Sequence, residues 1–182
     1  MVTLSYRIIT LSIFFGIIIF ISLSIIKVKE NEVYIIERNG KFYKVKKKGI
    51  IFLIPFLDKV KNVLNLDNQI IDCLAQPIIL KSGKVIFLKF NIHYHIIDPI
   101  KITYEVQKSE YKDLESNIIF FSINYLRKIA ENIDNEEFEY LKKYFTNKLK
   151  DRFWEQEKNE GYKVDNIEIE LFSKFNENVK NK

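Results

Sequence analysis

The sequence contains few of the residues from which enzyme sites are most often built. Its 182 residues include one cysteine, two histidines and five glycines. The single thiol, Cys73, excludes an intramolecular disulfide, so the folded part of the chain must be stabilised by packing. The glycines stand too far apart to form a phosphate-binding loop or a dinucleotide fingerprint, which disfavours nucleotide-dependent enzymes. They are Gly16, Gly40, Gly49, Gly83 and Gly161.

The two histidines are weak candidates for a metal site. His93 and His95 alternate with apolar residues, so both imidazoles project from the same face of a predicted strand. A structural zinc site needs four ligands, and the surrounding sequence offers no clear set of Cys, Asp or Glu to complete one. Cys73 would be a nucleophile only with a base beside it, and a small apolar thiol in a strand is the commoner case. We predict no catalytic residues, no metal and no cofactor.

What the chain does have is a long apolar run near its amino end. Residues 8–26 are nineteen consecutive positions without a charge, with Arg7 before them and Lys27 and Lys29 after them. As a helix the run would be roughly 28 Å long, close to the hydrocarbon thickness of a bilayer. It is longer than a signal-peptide core and is followed by no cleavage site. We predict a short flank, 1–7, and an uncleaved transmembrane helix over 8–26; the alternative is a buried core helix.

Positive charge is concentrated directly after this run. Residues 27–48 contain eight Lys or Arg and three Glu, whereas residues 49–182 contain twenty Lys or Arg and twenty-one Asp or Glu. Anionic lipid attracts such a segment by about 1 kcal/mol for each basic group near the surface. We expect Arg7, Lys27 and Lys29 to contact lipid; the alternative is a solvated basic hairpin. Nucleic acid is not an expected partner, because no basic helix or basic and aromatic strand face follows.

The segment after the apolar run has the pattern of a β-hairpin. Asn39-Gly40 separates two runs rich in Val, Ile and Tyr, and both residues tolerate the positive φ angles of a type I′ turn. An apolar segment, 50–57, follows, and its Pro55 marks a strand end or a loop. We expect this segment to lie at the membrane surface. The residues expected to contact lipid there are Ile51, Pro55 and Phe56.

Alternation of apolar and polar residues predicts the strands that follow. They are 60–66, 69–73, 77–80 and the long strand 85–97, whose predicted core face is Phe90, Ile92, Tyr94 and Ile96. After Asp98-Pro99 the period changes to three and four, which is typical of an amphipathic helix. Its predicted apolar stripe is Tyr111, Leu114, Ile118, Phe121, Tyr125 and Ile129.

A second helix and a closing strand complete the prediction. Asp134 and Glu137 fit a capping pattern, so we expect a helix from Asp134 that buries Phe138, Leu141, Phe145, Leu149 and Phe153 and ends at Gly161. Residues 164–172 alternate as a final strand. The class is α+β, with two amphipathic helices on one face of a curved antiparallel sheet.

Four segments behind the apolar run match a known pattern in order. They are VKENEVYIIERNGKFYKVKKKGIIFLIPFLDKV (28–60), KSGKVIFLKFNIHYHIIDPIKITYEV (81–106), SINYLRKIAENIDNEEF (122–138) and GYKVDNIEIELF (161–172). Together they resemble the stomatin, prohibitin and HflK/HflC superfamily, whose shared domain is called SPFH or band 7. The motif positions are Glu37, Arg38, Gly40, Lys41, Gly49, Pro55, Asp98, Pro99, Leu126, Arg127 and Gly161.

The resemblance implies a domain organisation and a function. It implies a basic juxtamembrane hairpin at 27–48, the rest of the SPFH domain at 49–172 and a tail at 173–182. It also implies a non-enzymatic, membrane-anchored scaffold that contacts membrane lipid and another SPFH subunit. Such a scaffold modulates a membrane AAA protease, as HflC does, or organises a lipid microdomain, as stomatin does. A peripheral module for anionic lipid is a further alternative, and the missing catalytic constellation disfavours a membrane enzyme.

The chain departs from the family pattern in two ways. Lys48 stands where the family usually has a proline before Gly49. Family members also continue from the closing strand into a long helical segment that this sequence lacks, so we expect weak self-association. The side of the membrane is left open, because the charge bias favours the cytosol whereas the resemblance to HflC implies the opposite side.

Overall fold

The computed structural model of the chain describes residues 2–105, 113–134 and 137–173. The protein is α+β and divides into two compact units, a first unit of residues 1–66 and a second unit of residues 67–182. The first unit comprises α1 (Val2–Ser24), β1 (Ile25–Arg38), β2 (Lys41–Phe52) and β3 (Asp58–Asn65). The second comprises β4 (Gln69–Ile79), β5 (Val85–Ile96), α2 (Pro99–Glu105), α3 (Leu114–Ala130), α4 (Phe138–Glu160) and β6 (Tyr162–Phe172).

Helix α1 differs in its bounds from the predicted helix 8–26. It begins at Val2, and Ile25 and Ile26 already belong to β1. The longest stretch of α1 whose side chains are described is 9–22, and all of them are exposed. Within the described part of the chain, no helix is both long enough and apolar enough to cross a membrane.

The first unit contains an antiparallel sheet with the strand order β2-β1-β3. The turn between β1 and β2 has φ angles of 52° at Asn39 and 75° at Gly40, as the Asn-Gly signal predicts. The hairpin is longer than predicted, because β2 continues through Gly49 to Phe52. The expected boundary at 48/49 therefore falls inside a strand.

The hairpin folds back on itself. Phe52 pairs with Ile25 at one end of β1, while Asp58 pairs with Arg38 at the other end, although only five residues separate β2 from β3. The register shift between Val28 and Val33 and the φ of 97° at Gly49 fall where the ribbon must bend. The bend brings together a small core of Val28, Ile36, Ile51 and Leu53.

The second unit contains a separate antiparallel sheet with the order β4-β5-β6. The predicted core face of β5 is confirmed, since Phe90, Ile92, Tyr94 and Ile96 are all buried. The strands predicted at 69–73 and 77–80 are one strand with an irregularity between Cys73 and Gln76. The single curved sheet of the prediction is therefore wrong, because the described residues form two sheets of three strands each.

Helix α3 packs on β4 with a different face from the one predicted. Ile118 is buried as expected, but the other fully buried positions are Ser122, Leu126 and Ala130, whereas Phe121, Tyr125 and Ile129 of the predicted stripe are half-buried. The small side chains let the helix approach the sheet closely, and the Ser122 hydroxyl donates to the carbonyl of Ile118 (2.7 Å), which satisfies it within the helix. Tyr111, also in that stripe, lies outside the described residues.

Helix α4 begins later than predicted and buries the predicted residues. Its N-cap is Glu137, without a side-chain cap hydrogen bond, and Asp134 instead pairs with Lys81 at 3.2 Å. Leu141, Phe145, Leu149 and Phe153 are buried as expected, whereas Phe138 is half-buried. The short helix α2 was not predicted, although Asp98 accepts from the amides of Ile100 and Lys101 and Pro99 occupies the first helical position.

Candidate functional site

The most distinctive surface of the first unit is a pair of adjacent turns, Asn39-Gly40 and 54–58, which we call the double turn. The amides of Leu57 and Asp58 both donate to the carbonyl of Ile54, at 3.2 and 2.9 Å, and close the second turn. The amide of Asn39 donates to the carbonyl of Leu57 at 3.1 Å, which joins the two turns. The pair is therefore held by backbone hydrogen bonds.

A partly buried ion pair fixes the base of the double turn. Arg38 binds Asp58 in a bidentate arrangement, with Nε to Oδ1 at 2.6 Å and Nη2 to Oδ2 at 2.9 Å. The Asp58 carboxylate is fully buried and also accepts from the amide of Ile54 at 2.9 Å. The hydrogen bonds from Arg38 lower the pKa of Asp58 to about 2, aided by the Ile54 amide and against the effect of burial. The guanidinium also lies 3.9 Å from the centroid of the Tyr43 ring.

This clamp holds an aromatic ring out in the solvent. Phe56 is 101% exposed and has a φ of 69°, a left-handed conformation that a bulky residue adopts only under constraint. Pro55 precedes it in the turn, and Leu57 beside it is also exposed. Phe56 therefore combines two unfavourable features, a strained backbone and an apolar side chain that is fully exposed.

The expected lipid contacts are only partly at the surface. Ile51 is 4% exposed and belongs to the small core of the first unit, so its predicted role as a surface contact is wrong. The ribbon folds back at Gly49 and turns that side chain inward, which alternation along the strand could not reveal. Arg7, Lys27 and Lys29 are exposed, and a hydrogen bond with Glu32 raises the pKa of Lys29. Lipid contact by these residues stays a prediction.

The end of α1 lies beside the double turn. The amide of Leu53 donates to the carbonyl of Ser24, the last residue of α1, at 2.7 Å. Phe56 follows Leu53 by three residues, which span at most about 11 Å of extended chain. Phe56 therefore lies close enough to the carboxyl end of α1 to reach the same surroundings.

Several motif positions in the second unit have structural roles at one junction. The carbonyl of Gly161 accepts from the amides of Ile97 and Asp98, at 3.0 and 2.9 Å. Gly161 has a φ of 77°, and an added Cβ would lie 3.0 Å from the carbonyl oxygen of Asp98. Asp98 and Pro99 in turn start α2. These three motif residues therefore join α4 and β6 to the end of β5.

The remaining motif positions divide between core and surface. Leu126 is fully buried, whereas Arg127, its neighbour on α3, is exposed. Glu37 is only 8% exposed, and its carboxylate pairs with the Lys61 ammonium at 3.6 Å. Lys41 is exposed just after the Asn-Gly turn. Most of the motif thus specifies turns, caps and packing.

The residues considered for metal and nucleophilic chemistry have ordinary surroundings. His95 Nδ1 lies 2.7 Å from Asp165 Oδ2, a partner that β6 supplies and that sequence spacing did not identify. His93 lies on the same strand face, and no group of three or more His, Cys, Asp or Glu among the described residues could hold a metal ion. Cys73 is buried, and burial raises the pKa of its thiol to about 11, which disfavours the nucleophilic thiolate.

Sequence reasoning missed the partner of the motif arginine. Asp58 directly follows the apolar segment 50–57 and is not among the predicted site residues. The signal available in the sequence was a single acidic residue just after Pro55-Phe56-Leu57, which could have been proposed as the partner of Arg38. The pairing became evident only with the register of β1 and β3.

A family profile and several known proteins match this chain in sequence. Residues 26–181 match the profile described as SPFH domain / Band 7 family. Stomatin-like protein stl-1 of Caenorhabditis elegans is 34% identical over 84 residues, 46% of this chain and 26% of that protein. Stomatin-like protein 2, mitochondrial, of Rattus norvegicus is 29% identical over 87 residues, 48% of this chain and 25% of that protein.

A third relative comes from an archaeon. A stomatin homolog of Pyrococcus abyssi is 28% identical over 99 residues, 54% of this chain and 37% of that protein. The matched part of the chain therefore spans only 25–37% of the length of these relatives. Since the family profile covers most of the chain, this protein belongs to the SPFH domain / Band 7 family.

Proposed function

We propose that this chain is a membrane-anchored scaffold subunit that acts through contacts with lipid and with other SPFH subunits, without catalysis of its own. Helix α1 enters the membrane and the SPFH domain is held beside it. Family membership supports the scaffold role, because the resemblance implies membrane association and oligomer formation. The observation that carries the proposal is the direct passage from an apolar helix into the SPFH domain, fixed by the Ser24 to Leu53 hydrogen bond.

The membrane-entering role of α1 rests on its side chains and its sequence. Its exposed large apolar side chains include Leu11, Phe14, Phe15 and Phe20. Left in water, such a surface would be a liability to aggregation. The described side chains of α1 cover 9–22, whereas the uncharged run of the sequence extends over 8–26. The length of this longer run supports entry into the membrane. A single pass is the arrangement we propose.

Two scaffold roles differ in the partner. Modulation of a membrane AAA protease is supported by the resemblance of GYKVDNIEIELFSKFNENV (161–179) to HflC. Organisation of a lipid microdomain is supported by the relatives, which are named as stomatin-like proteins or a stomatin homolog. A peripheral module for anionic lipid is the alternative outside the scaffold class, supported by the basic segment 27–48.

Alkaline extraction of membranes tests the anchor. We expect the full chain to stay in the membrane pellet, and the double variant Ile17→Arg, Ile18→Arg to move to the supernatant. Each arginine at the centre of a helix disfavours insertion by about 2.5–3.5 kcal/mol. The matched control, Ile17→Ala with Ile18→Ala, should remain in the pellet. Extraction of the unaltered chain by alkali or by salt would overturn the anchor, and release by salt alone would favour the peripheral module.

Affinity purification from mild detergent extracts then distinguishes the two roles. Proteins that are recovered with the tagged chain are compared with those recovered from an untagged control. A protease in the eluate supports the HflC-like role. An SPFH subunit with co-purifying lipid and no protease supports the stomatin-like role. Recovery of the chain alone, with neither subunit nor lipid, would overturn the scaffold proposal.

A further inference from the structure

Two edge strands of the protein carry charges of opposite sign. β2 is an edge of the first sheet and contains Lys46-Lys47-Lys48, whereas β6 is an edge of the second sheet and contains Glu168 and Glu170. We propose that β2 of one copy of this chain lies along β6 of a second copy, with Lys46 and Lys48 bound to Glu168 and Glu170. This inference rests on the proposed contacts between SPFH subunits and names the surfaces that make them.

The acidic side of this contact belongs to the solvent face of the second sheet. Glu168 and Glu170 are exposed and alternate with buried isoleucines, so both carboxylates project away from the core. Glu168 accepts a hydrogen bond from the neutral amide of Asn166 at 3.2 Å. Among the described residues of the second unit, no Lys or Arg lies at ion-pair distance from Glu168 or Glu170. Lys89, which lies opposite Glu170 on β5, pairs with Asp72 instead.

The basic side is the free edge of the hairpin. Among the described residues of the first unit, no carboxylate lies at ion-pair distance from Lys46 or Lys47. Lys48 lies 3.8 Å from Glu30, but the Lys48 side chain is 71% exposed and the Glu30 side chain is 86% exposed. Exposed pairs of this kind contribute little to stability. The ammonium groups can therefore bind a partner without the loss of a strong contact.

The spacing of the charges is the same on both strands. Lys46 and Lys48 are two residues apart, as are Glu168 and Glu170. Residues two apart share one face of a strand and are separated by about 6.5–7 Å along it. Both lysines can therefore meet a glutamate whether the two strands run parallel or antiparallel.

The signs of the charges also determine which strands can meet. Charged side chains, lysines above all, normally keep an edge strand from pairing with another sheet. Two basic β2 strands repel each other, as do two acidic β6 strands, so symmetric contacts are disfavoured and β2 against β6 is favoured. Such a contact is head-to-tail. It leaves one basic and one acidic strand free on each pair of copies, so further copies can join in the same way.

Energy transfer between full chains tests the contact. Copies that carry a donor or an acceptor fluorescent protein at the carboxyl end are placed together in vesicles of phosphatidylcholine, where no anionic lipid competes for the lysines. We expect energy transfer at about 0.1 M salt, at which charges more than about 10 Å apart are largely screened. Lys46→Glu with Lys48→Glu should abolish it, and so should Glu168→Lys with Glu170→Lys. Mixing the two variants should restore it, because each supplies the charge that the other lacks.

Control variants make the same changes of charge on the exposed side of α4. Lys142→Glu with Lys143→Glu is matched to the lysine variant, and Glu139→Lys with Asp151→Lys is matched to the glutamate variant. Both should leave the energy transfer unchanged. Absence of energy transfer between unaltered chains, or its persistence in both reversal variants, would overturn the contact and leave the membrane anchor standing.

Disulfide formation locates the contact independently. In a Cys73→Ala background, Lys46→Cys in one tagged copy should cross-link to Glu168→Cys or Glu170→Cys in a copy with another tag. Asn147→Cys, exposed on α4, should form no such cross-link. Disulfides that form only within single chains would overturn the contact between copies. Chains that do not float with the vesicles would instead count against the membrane anchor, and the same cross-links in detergent would then decide the contact.

Discussion

The two units differ in their charge and in the size of their buried cores. The first unit carries eleven Lys or Arg against four Asp or Glu, and it exposes Ile50, Phe52 and Phe56 around a small core. The second carries eighteen Lys or Arg against twenty Asp or Glu, and it buries a large core between helices and sheet. An excess of positive charge and a smaller core therefore set the first unit apart from the second.

The motif residues follow the same division. In the second unit, Asp98, Gly161 and Leu126 maintain the fold through a cap, a close backbone approach and a filled core position. In the first unit, Arg38 and its partner Asp58 hold an exposed ring in place. Substitutions in the two units should therefore differ in whether they affect stability or membrane contact.

The largest effect on stability is expected in the second unit. Leu126→Ala removes a fully buried side chain from the interface of α3 with β4, and such changes typically destabilise by about 2–5 kcal/mol. Thermal unfolding by circular dichroism in detergent measures the loss. The control, Arg127→Ala, changes the exposed neighbour on the same helix and should lie within about 0.5 kcal/mol of the unaltered chain. Equal effects would show that this face of α3 is not a core face.

A smaller effect is expected at the junction of α4 and β6. Gly161→Ala places a methyl group 3.0 Å from the carbonyl oxygen of Asp98, at a backbone φ of 77°. We expect a loss of about 1–3 kcal/mol, because strain and close contact act together. Gly83→Ala shares the left-handed φ but has open space around it and should lose less. A harmless Gly161→Ala would mean that the junction relaxes easily.

Much of this could be predicted from sequence, and the failures have physical causes. The Asn-Gly turn, the core face of β5 and the buried residues of α4 follow from local pattern alone. The buried face of α3 did not, because Ser122 and Ala130 are small and their burial depends on how closely the sheet approaches. Ile51 was misplaced because the fold-back at Gly49 depends on contacts distant in sequence. The Arg38 to Asp58 clamp was missed for the same reason.

Acid should affect the first unit through Asp58. The Arg38 hydrogen bonds lower the pKa of this carboxyl to about 2, so the folded state binds its proton less tightly than the unfolded state, in which the carboxyl has a pKa of about 3.9. The stabilisation is present above about pH 4 and is lost as the pH falls towards 2. Asp58→Asn should remove this part of the acid sensitivity, leaving Arg38 without its partner and the chain less stable at pH 7.

Hydrogen exchange in detergent, followed at peptides of each unit, checks this prediction. Exchange in 25–66 should rise below pH 4, after correction for the intrinsic rate, more than exchange in the core strands of the second unit. Asp165→Asn, which changes an aspartate of the second unit at the surface, is the matched control. A pH response of Asp58→Asn identical to that of the unaltered chain would show that the clamp does not govern acid stability.

The smallest effect on stability, with the opposite sign, is expected at the apex of the double turn. Glycine is the residue that best tolerates a positive φ, and φ is 69° at Phe56. Because the Phe56 side chain is fully exposed, Phe56→Gly removes no buried contact. We expect a change between zero and a gain of about 1 kcal/mol, because relief of strain is partly offset by the greater entropy of glycine in the unfolded chain. Thermal unfolding measures this change, and quenching of a tryptophan at position 57 by brominated lipid measures membrane contact. Greater stability with weaker contact would sharpen the contrast between the units, since it would show that the first unit gives up stability for an exposed ring. A destabilised Phe56→Gly would instead mean that the ring supports the fold, and the distinction drawn between the two units would fail at this residue.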